Sequence, residues 1–66
     1  MIKKTDVVEI KRDEFFTILW MKHKNGYWYA STGNPKRWHC LYSEDEATAR
    51  ENFFSGQCGP EKFLVE

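Results

Sequence analysis

The side chains of this chain that are best suited to chemistry are two histidines and two cysteines, His23, His39, Cys40 and Cys58. Imidazole and thiolate groups are the usual ligands of zinc, but structural zinc sites place them in close pairs of fixed spacing. No such pair occurs here, because His39 and Cys40 are adjacent and would point to opposite faces of a strand. Cys40 has no basic neighbour on its own face, which favours a buried thiol over a nucleophile. We therefore expect no metal, no cofactor and no catalytic residue.

Aromatic and charged residues are unevenly spread along the chain. The 66 residues include five Phe, three Trp and three Tyr, and the formal net charge is zero. Residues 15–42 hold four Lys or Arg and no acid, whereas residues 43–66 hold six acids and two bases. A basic face can meet phosphate or an acidic protein, and an acidic helix can meet a basic groove.

The elements that position these residues follow from local signals. Short alternating or β-branched runs predict strands at 6–12, 15–24, 27–32, 36–42 and 61–66. Asn25-Gly26 predicts a two-residue hairpin loop between the second and third of them. Ser43 and Glu46 form a capping box that predicts a helix ending near residue 55, with Gly56 as its left-handed terminator.

The predicted fold is a single α+β domain spanning 1–66, since a chain this short has no room for a second one. It consists of an antiparallel sheet of four to five strands, in the order β-β-β-β-α-β, with one helix packed on one face. No apolar run has the length of a membrane span, and the N-terminus has no apolar signal core. We therefore expect a cytoplasmic protein without a membrane partner.

The two-residue loop also predicts which side chains share a face. It sets Lys24 opposite Tyr27, Lys22 opposite Tyr29 and Trp20 opposite Ser31. The other face, with Leu19, Met21, Trp28 and Ala30, suits the helix because it carries little charge. The face left without cover then holds Phe16, Ile18, Trp20, Tyr27 and Tyr29.

This uncovered aromatic-basic face is the predicted partner-binding site, because rigid rings beside cations are typical of binding hot spots. Its predicted residues are Trp20, Tyr27 and Tyr29 as anchors and Lys22, Lys24 and Arg37 as a charged border. Two alternatives stay open: the face is the seam of a homodimer, or the chain termini fold over it as core.

A second candidate is the acidic start of the helix. Its residues are Glu44, Asp45, Glu46 and Glu51. The plainer interpretation is a capped, solvated helix start, in which acids favour the positive end of the helix dipole. The functional interpretation is a patch of carboxylates that mimics phosphates and occupies a basic groove for nucleic acid.

Residues 15–42 resemble in outline the opening hairpin of GIY-YIG nucleases. Residues 29–32, "YAST", stand at the second signature and Arg37 at the catalytic arginine, but no "GIY" is present. The first signature and the usual glycine are missing, so we expect no enzyme activity.

A further resemblance concerns a short single-domain chain with "NGYWYA…KRWHC" on a hairpin and "SEDEATARENFFSG" as its helix. Such a chain is similar to small proteins of bacteriophages and mobile elements, in particular to anti-CRISPR inhibitors of the type I class. The residues that carry the resemblance are Asn25, Gly26, Trp28, Ala30, Lys36, Arg37, Trp38 and Cys40, about a quarter of the chain, and the last spacing departs by one or two residues. The resemblance implies a non-enzymatic protein that binds a host protein or protein–nucleic-acid complex and inhibits it by occlusion.

The alternative function is a module that binds single-stranded nucleic acid, with rings stacked on bases and lysines on the backbone. A formal charge of zero makes it the second choice, although the basic segment 15–42 favours it.

Overall fold

The computed structural model describes residues 1–13, 15 and 17–65 of the chain. These residues form a small α+β domain, which confirms the predicted class. In chain order the elements are β1 (Ile2–Lys3), a 3-10 turn (Lys4–Asp6), β2 (Val7–Asp13), β3 (Ile18–His23), β4 (Trp28–Thr32), β5 (Arg37–Cys40), α1 (Glu46–Phe54) and β6 (Glu61–Val65). The four or five antiparallel strands predicted from the sequence match this arrangement only in part.

The six strands form one mixed sheet in the order β1-β6-β5-β4-β3-β2. All neighbours are antiparallel except β1 and β6, which are parallel. The two end strands, β1 and β2, are consecutive in the chain and are joined only by the turn Lys4–Asp6. So short a link keeps the two ends of the sheet near each other, so the sheet is curled. Strand β1 was not predicted, because two residues are too few to show an alternating pattern.

The curled sheet separates two hydrophobic clusters. The cluster inside the curl contains Ile2, Leu19, Met21, Tyr29, Trp38 and Cys40. The cluster on the outer side, beneath α1, contains Ile18, Trp20, Trp28, Ala30, Leu41 and Ala49. Since side chains alternate along a strand, β3 and β4 supply both clusters and are buried on both faces. That explains why their residues read as nearly continuous apolar runs.

The hairpin between β3 and β4 has a three-residue loop, not the predicted two-residue loop. The N–H of His23 donates to the carbonyl of Tyr27 at 3.0 Å, and the N–H of Gly26 donates to the carbonyl of His23 at 2.9 Å. Asn25 uses its side-chain oxygen to accept the N–H of Tyr27 at 2.9 Å, and Gly26 takes the positive φ of 96° at the last loop position. This loop shape is a common alternative for the same Asn-Gly signal.

The extra loop residue shifts the predicted register by one position. Trp20 lies opposite Ala30, and Lys22 lies opposite Trp28. A one-residue shift turns every side chain of one strand to the other face relative to its partner. Trp28 and Ala30 face the helix as predicted, but Trp20 joins them there in place of Leu19 and Met21, which both point into the curl.

The helix α1 begins later than predicted. Its N-cap is Asp45, whose carboxylate accepts the N–H of Thr48 at 2.9 Å, and this hydrogen bond lowers the pKa of Asp45. Ser43, the predicted cap, instead accepts the N–H of Asp45 at 3.1 Å and lies two residues before the observed cap. Gly56 follows the helix with a φ of 82°, as its predicted terminator role requires. Within the described residues no helix has the length and apolar content needed to cross a membrane.

Candidate functional site

The outer side of strands β5 and β6 lies beyond the cover that α1 gives to β3 and β4. Trp38 points into the curl, so its neighbours Arg37 and His39 point to the outer side. In the antiparallel β5–β6 pair, Arg37 lies opposite Phe63 and His39 lies opposite Glu61. We call these four residues (Arg37, His39, Glu61 and Phe63) the open face.

Arg37 and Phe63 form a stacked pair at the surface. The guanidinium carbon of Arg37 lies 5.6 Å from the centre of the Phe63 ring. Its Nε lies 3.5 Å from Oε1 of Glu61. Phe63 nevertheless stays 49% exposed. Because a guanidinium that lies against a ring keeps donors at its edge, the pair offers a forked cation and an apolar surface side by side.

A cavity of about 170 Å³ opens beside this pair. Its walls are formed by Ser31, Thr32, Asn34, Arg37, His39 and Glu61. Nδ1 of His39 lies 2.9 Å from the carbonyl oxygen of Gly59, and since a carbonyl only accepts, Nδ1 carries the proton. This bond fixes the imidazole and makes Nε2 an acceptor in the neutral form. With donors from Arg37 and the Thr32 hydroxyl, the cavity can hold a small polar group, such as a carboxylate that takes the place of Glu61 at Arg37.

Two of the three predicted aromatic anchors are buried. Trp20 is 1% exposed beneath α1, and Tyr29 is 3% exposed inside the curl. The prediction that they share an uncovered face is wrong, because the observed register sends them to opposite sides of the sheet. Tyr27 keeps 41% exposure at the hairpin end. Of the other two residues predicted on that face, Ile18 is buried and Phe16 lies outside the described residues.

The predicted lysines lie at the hairpin end, where each contacts its own chain. Nζ of Lys24 lies 3.0 Å from Oδ1 of Asp6. Nζ of Lys22 donates to the carbonyl of Glu44 at 3.4 Å. Arg37, level with the opposite end of β3, does not border the same surface. The six residues predicted as one site are therefore divided among four places, and only Arg37 belongs to the open face.

The hairpin end also holds a buried phenol. The side-chain amide of Asn25 donates to the hydroxyl of Tyr29 at 3.2 Å, and the imidazole of His23 lies 5.4 Å from the Tyr29 ring centre. Burial raises the pKa of Tyr29. Both nitrogens of His23 have neighbours, since Nδ1 accepts the N–H of Asn25 at 3.0 Å and Nε2 lies 4.0 Å from Asp6. This cluster therefore serves to lock the loop.

The predicted acidic patch is partly neutralised within the domain. Glu46 accepts hydrogen bonds from Lys11 at 2.7 Å and from Arg50 at 3.1 Å. The bond from Lys11 is the main cause that lowers the pKa of Glu46 and, reciprocally, raises the pKa of Lys11. Glu44 and Glu51 stay exposed. Because Asp45 caps the helix, the geometry is that of a capped helix start, with the exposed Glu44 just before it and the exposed Glu51 further along α1.

The residues that sequence reasoning missed are Phe63 and Glu61. The sequence left open whether Trp38 or His39 faces outward, and the burial of Trp38 inside the curl assigns the outer position to His39. The alternation in "RWHC" and "EKFLV" contains the signal that Arg37, His39, Glu61 and Phe63 each lie on one side of a strand. What the alternation cannot supply is that β5 pairs with β6, since α1 separates the two strands in the chain.

No group of three or more potential metal ligands occurs among the described residues. Cys40 is a buried free thiol and Cys58 an exposed one, and partial desolvation of the Cys58 sulfur raises the pKa of this thiol. Comparison of the chain with protein-family models, with curated proteins and with solved structures finds no match. The residues themselves are therefore the basis for any functional proposal.

Proposed function

We propose that this chain is a binding protein without catalytic activity of its own, which acts by covering a surface of a macromolecular partner. The observation that supports this most directly is the open face, where an exposed Arg37 stacks on a half-exposed Phe63 beside a polar cavity. A ring and a forked cation at the surface of a rigid sheet are the groups that interface hot spots favour.

The partner that fits the open face is a protein surface with a carboxylate next to an apolar side chain. The carboxylate can enter the cavity and meet the donors of Arg37, while the apolar group packs on Phe63. Glu61 already contacts Arg37 at 3.5 Å, so the partner's acid shares or replaces an existing ion pair. Such an exchange favours specificity more than affinity.

For the kind of partner, we propose a bacterial defence complex, with the chain acting as a phage-encoded inhibitor in the host cytoplasm. The resemblance to small type I anti-CRISPR inhibitors is the basis for this step. Among its residues, Trp28, Ala30, Trp38 and Cys40 are buried, so they support a similar fold more than a similar binding surface. Arg37 is the one that belongs to the open face.

A plasmid-protection assay tests the proposal. In bacteria with an active type I surveillance complex, expression of the chain should raise the recovery of a targeted plasmid. The double variant Arg37→Ala/Phe63→Ala should lose this effect and lose binding to the purified complex in a biolayer interferometry measurement. The matched control is Arg12→Ala/Gln57→Ala, which changes an exposed cation and a second exposed residue away from β5 and β6.

Circular dichroism should show that both double variants keep the wild-type fold. If the Arg37→Ala/Phe63→Ala variant protected the plasmid as well as the wild type, the binding site would not be the open face. Absence of protection and of binding across such complexes would remove the defence-complex partner.

The second candidate function is binding of single-stranded nucleic acid, and the same Arg37–Phe63 pair favours it. A ring with an adjacent guanidinium on an open sheet can stack a base and contact a phosphate. Salt separates the two candidates, because phosphate binding weakens steeply as salt rises through counterion release. A fluorescent oligonucleotide whose anisotropy stays unchanged at low salt, at millimolar protein, would exclude this candidate.

A further inference from the structure

Strand β2 ends the sheet and has a free edge. It pairs with β3 on one side, and no strand of the described residues pairs with its other side. Val8 is 65% exposed and Ile10 is 50% exposed, so this edge also presents apolar side chains. A free edge with unpaired main-chain groups and β-branched residues is a template for another strand.

The hydrogen-bond pattern shows which residues of β2 direct their main-chain groups outward. In an antiparallel ladder, hydrogen-bonded and non-hydrogen-bonded pairs alternate. The N–H of His23 donates to Tyr27 of the β4 side, whereas the N–H of Lys24 donates to the carbonyl of Asp6 on the β2 side. Even-numbered residues of β3 therefore bond to β2.

The same alternation can be carried across to β2. Lys22 pairs with Glu9, and Trp20 pairs with Lys11. Glu9 and Lys11 thus direct their main-chain groups inward to β3. Ile10, between them, directs its N–H and C=O outward to the free edge, and Arg12 does the same.

The charges of β2 then distinguish among the registers in which two copies of this strand could pair antiparallel. A register centred on Lys11 sets two lysines opposite each other, and one centred on Arg12 sets two arginines opposite each other. A register centred on Glu9 does the same for two glutamates. The register centred on Ile10 sets Glu9 opposite Lys11 of the other copy, twice, because the arrangement is two-fold symmetric.

We propose that two copies of this chain pair through β2 in the antiparallel register centred on Ile10. The two Ile10 residues exchange main-chain hydrogen bonds, and Glu9 and Lys11 form ion pairs across the two-fold axis. The two curled sheets become one continuous sheet, with both α1 helices on the same side. The shift between Val7 and Glu9 in the β2–β3 pairing limits the regular stretch, so we expect a small, weak interface that forms at high micromolar concentration.

Analytical ultracentrifugation over a concentration series tests the pairing. The wild type should shift from monomer to dimer, and Glu9→Lys or Lys11→Glu alone should weaken the dimer by about tenfold in Kd, because each places like charges opposite each other twice. An equimolar mixture of the Glu9→Lys and Lys11→Glu chains should restore a dimer, since every cross-axis pair is again of opposite charge. Glu51→Lys and Lys62→Glu are the matched controls, with the same charge changes at exposed positions away from β2.

Lys11→Glu also removes the contact with Glu46 within the chain, so a second variant is needed that leaves this contact intact. Ile10→Lys places two lysines on the two-fold axis and should abolish the dimer while circular dichroism shows a folded chain. A wild type that stays monomeric up to millimolar concentration would overturn the proposal and leave the edge to an extended segment of another protein. A dimer that persists in Ile10→Lys, or a mixture that fails to form the heterodimer, would overturn it as well.

Discussion

The outer side of the sheet has two halves that share a composition and differ in cover. Strands β3 and β4 are covered by α1. There the guanidinium of Arg50, a residue of α1, lies 4.9 Å from the ring of Trp20. Over β5 and β6, the guanidinium of Arg37 lies 5.6 Å from Phe63, and the ring stays 49% exposed. The same cation–aromatic pairing therefore involves a buried ring in one half and a half-exposed ring in the other.

The difference shows that an aromatic-basic pattern does not by itself identify a binding surface. In the covered half, Arg50 also bonds to Glu46 of its own helix at 3.1 Å, and Trp20 is 1% exposed. The cation there completes the packing, because its charge is balanced within the domain. In the open half the fork of Arg37 faces solvent, and a partner can use it.

The largest expected effect is at Trp20, in the covered half. Trp20→Ala removes the central ring of the outer cluster and should cost about 3–5 kcal/mol of the free energy of unfolding. That is comparable with the whole stability of a domain this small, so the variant should be unfolded in a urea titration followed by fluorescence and circular dichroism. An exposed anchor could be removed without loss of the fold, but Trp20 and Tyr29, the predicted anchors, are both buried.

Trp20→Phe is the matched control for this change. Trp20 Nε1 is buried and has no hydrogen-bond partner among the described residues, so phenylalanine keeps most of the packing and removes a buried donor. It should stay folded with a modest loss of stability. A stable Trp20→Ala variant would contradict the division into a covered and an open half.

The next largest effect is expected at Asp45, the N-cap of the covering helix α1. Asp45→Ala removes the acceptor for the N–H of Thr48 and should lower the melting temperature, because an unsatisfied first turn frays. Ser43→Ala should lower it less, since Ser43 lies before the helix and its hydroxyl bonds to the main chain of Asp45 and not to the first turn of α1. Equal shifts in thermal denaturation would restore Ser43 as the cap.

Most of the secondary structure can be predicted from the local sequence, but the open face cannot. Strand positions, the helix end at Gly56 and the hairpin at Asn25-Gly26 depend on neighbouring residues, and they are close to their predicted places. The loop length is not fixed by Asn-Gly, because the same pair fits loops of two or three residues. That single residue moved Trp20 from the predicted surface into the core.

The open face depends on pairings between residues far apart in the chain. Strand β6 pairs with β5 across the whole of α1, and β1 pairs with β6 across almost the full length of the sequence. Alternation within each strand shows which residues share a side, but it carries no information on which strands are neighbours. Arg37 was predicted as part of a binding site, and its actual companions Phe63 and His39 were not.

A smaller effect is expected from the ion pairs that join β2 to the helix. The pKa of Glu46 is lowered in the folded state, mainly by the hydrogen bond from Lys11. A lowered folded pKa contributes stability at neutral pH that is lost as pH falls through the acid range, below the unfolded pKa of about 4.3. Glu46→Gln should therefore cost about 0.5 kcal/mol at neutral pH, after allowance for solvent screening of these partly exposed groups.

The melting temperature of Glu46→Gln should fall less steeply on acidification than that of the wild type. Glu51→Gln, at an exposed position of the same helix, is the control and should follow the wild-type curve. If the melting temperatures of Glu46→Gln and wild type changed in parallel with pH, the Lys11–Glu46 contact would contribute nothing to stability.

The smallest effect on stability is expected in the open half, where it is the most informative. Phe63→Ala removes a ring that is already half in solvent, and Arg37→Ala removes a side chain that is 55% exposed. Each should change the free energy of unfolding by about 0.5 kcal/mol or less, as surface substitutions usually do. Substitution of a residue that packs in the core would lower the free energy of unfolding by more than this. A near-zero change in the urea midpoint together with lost partner binding therefore assigns Arg37 and Phe63 to recognition. A loss of stability near that of Trp20→Ala would instead make Phe63 part of the core, and the two halves of the outer side would no longer differ in kind.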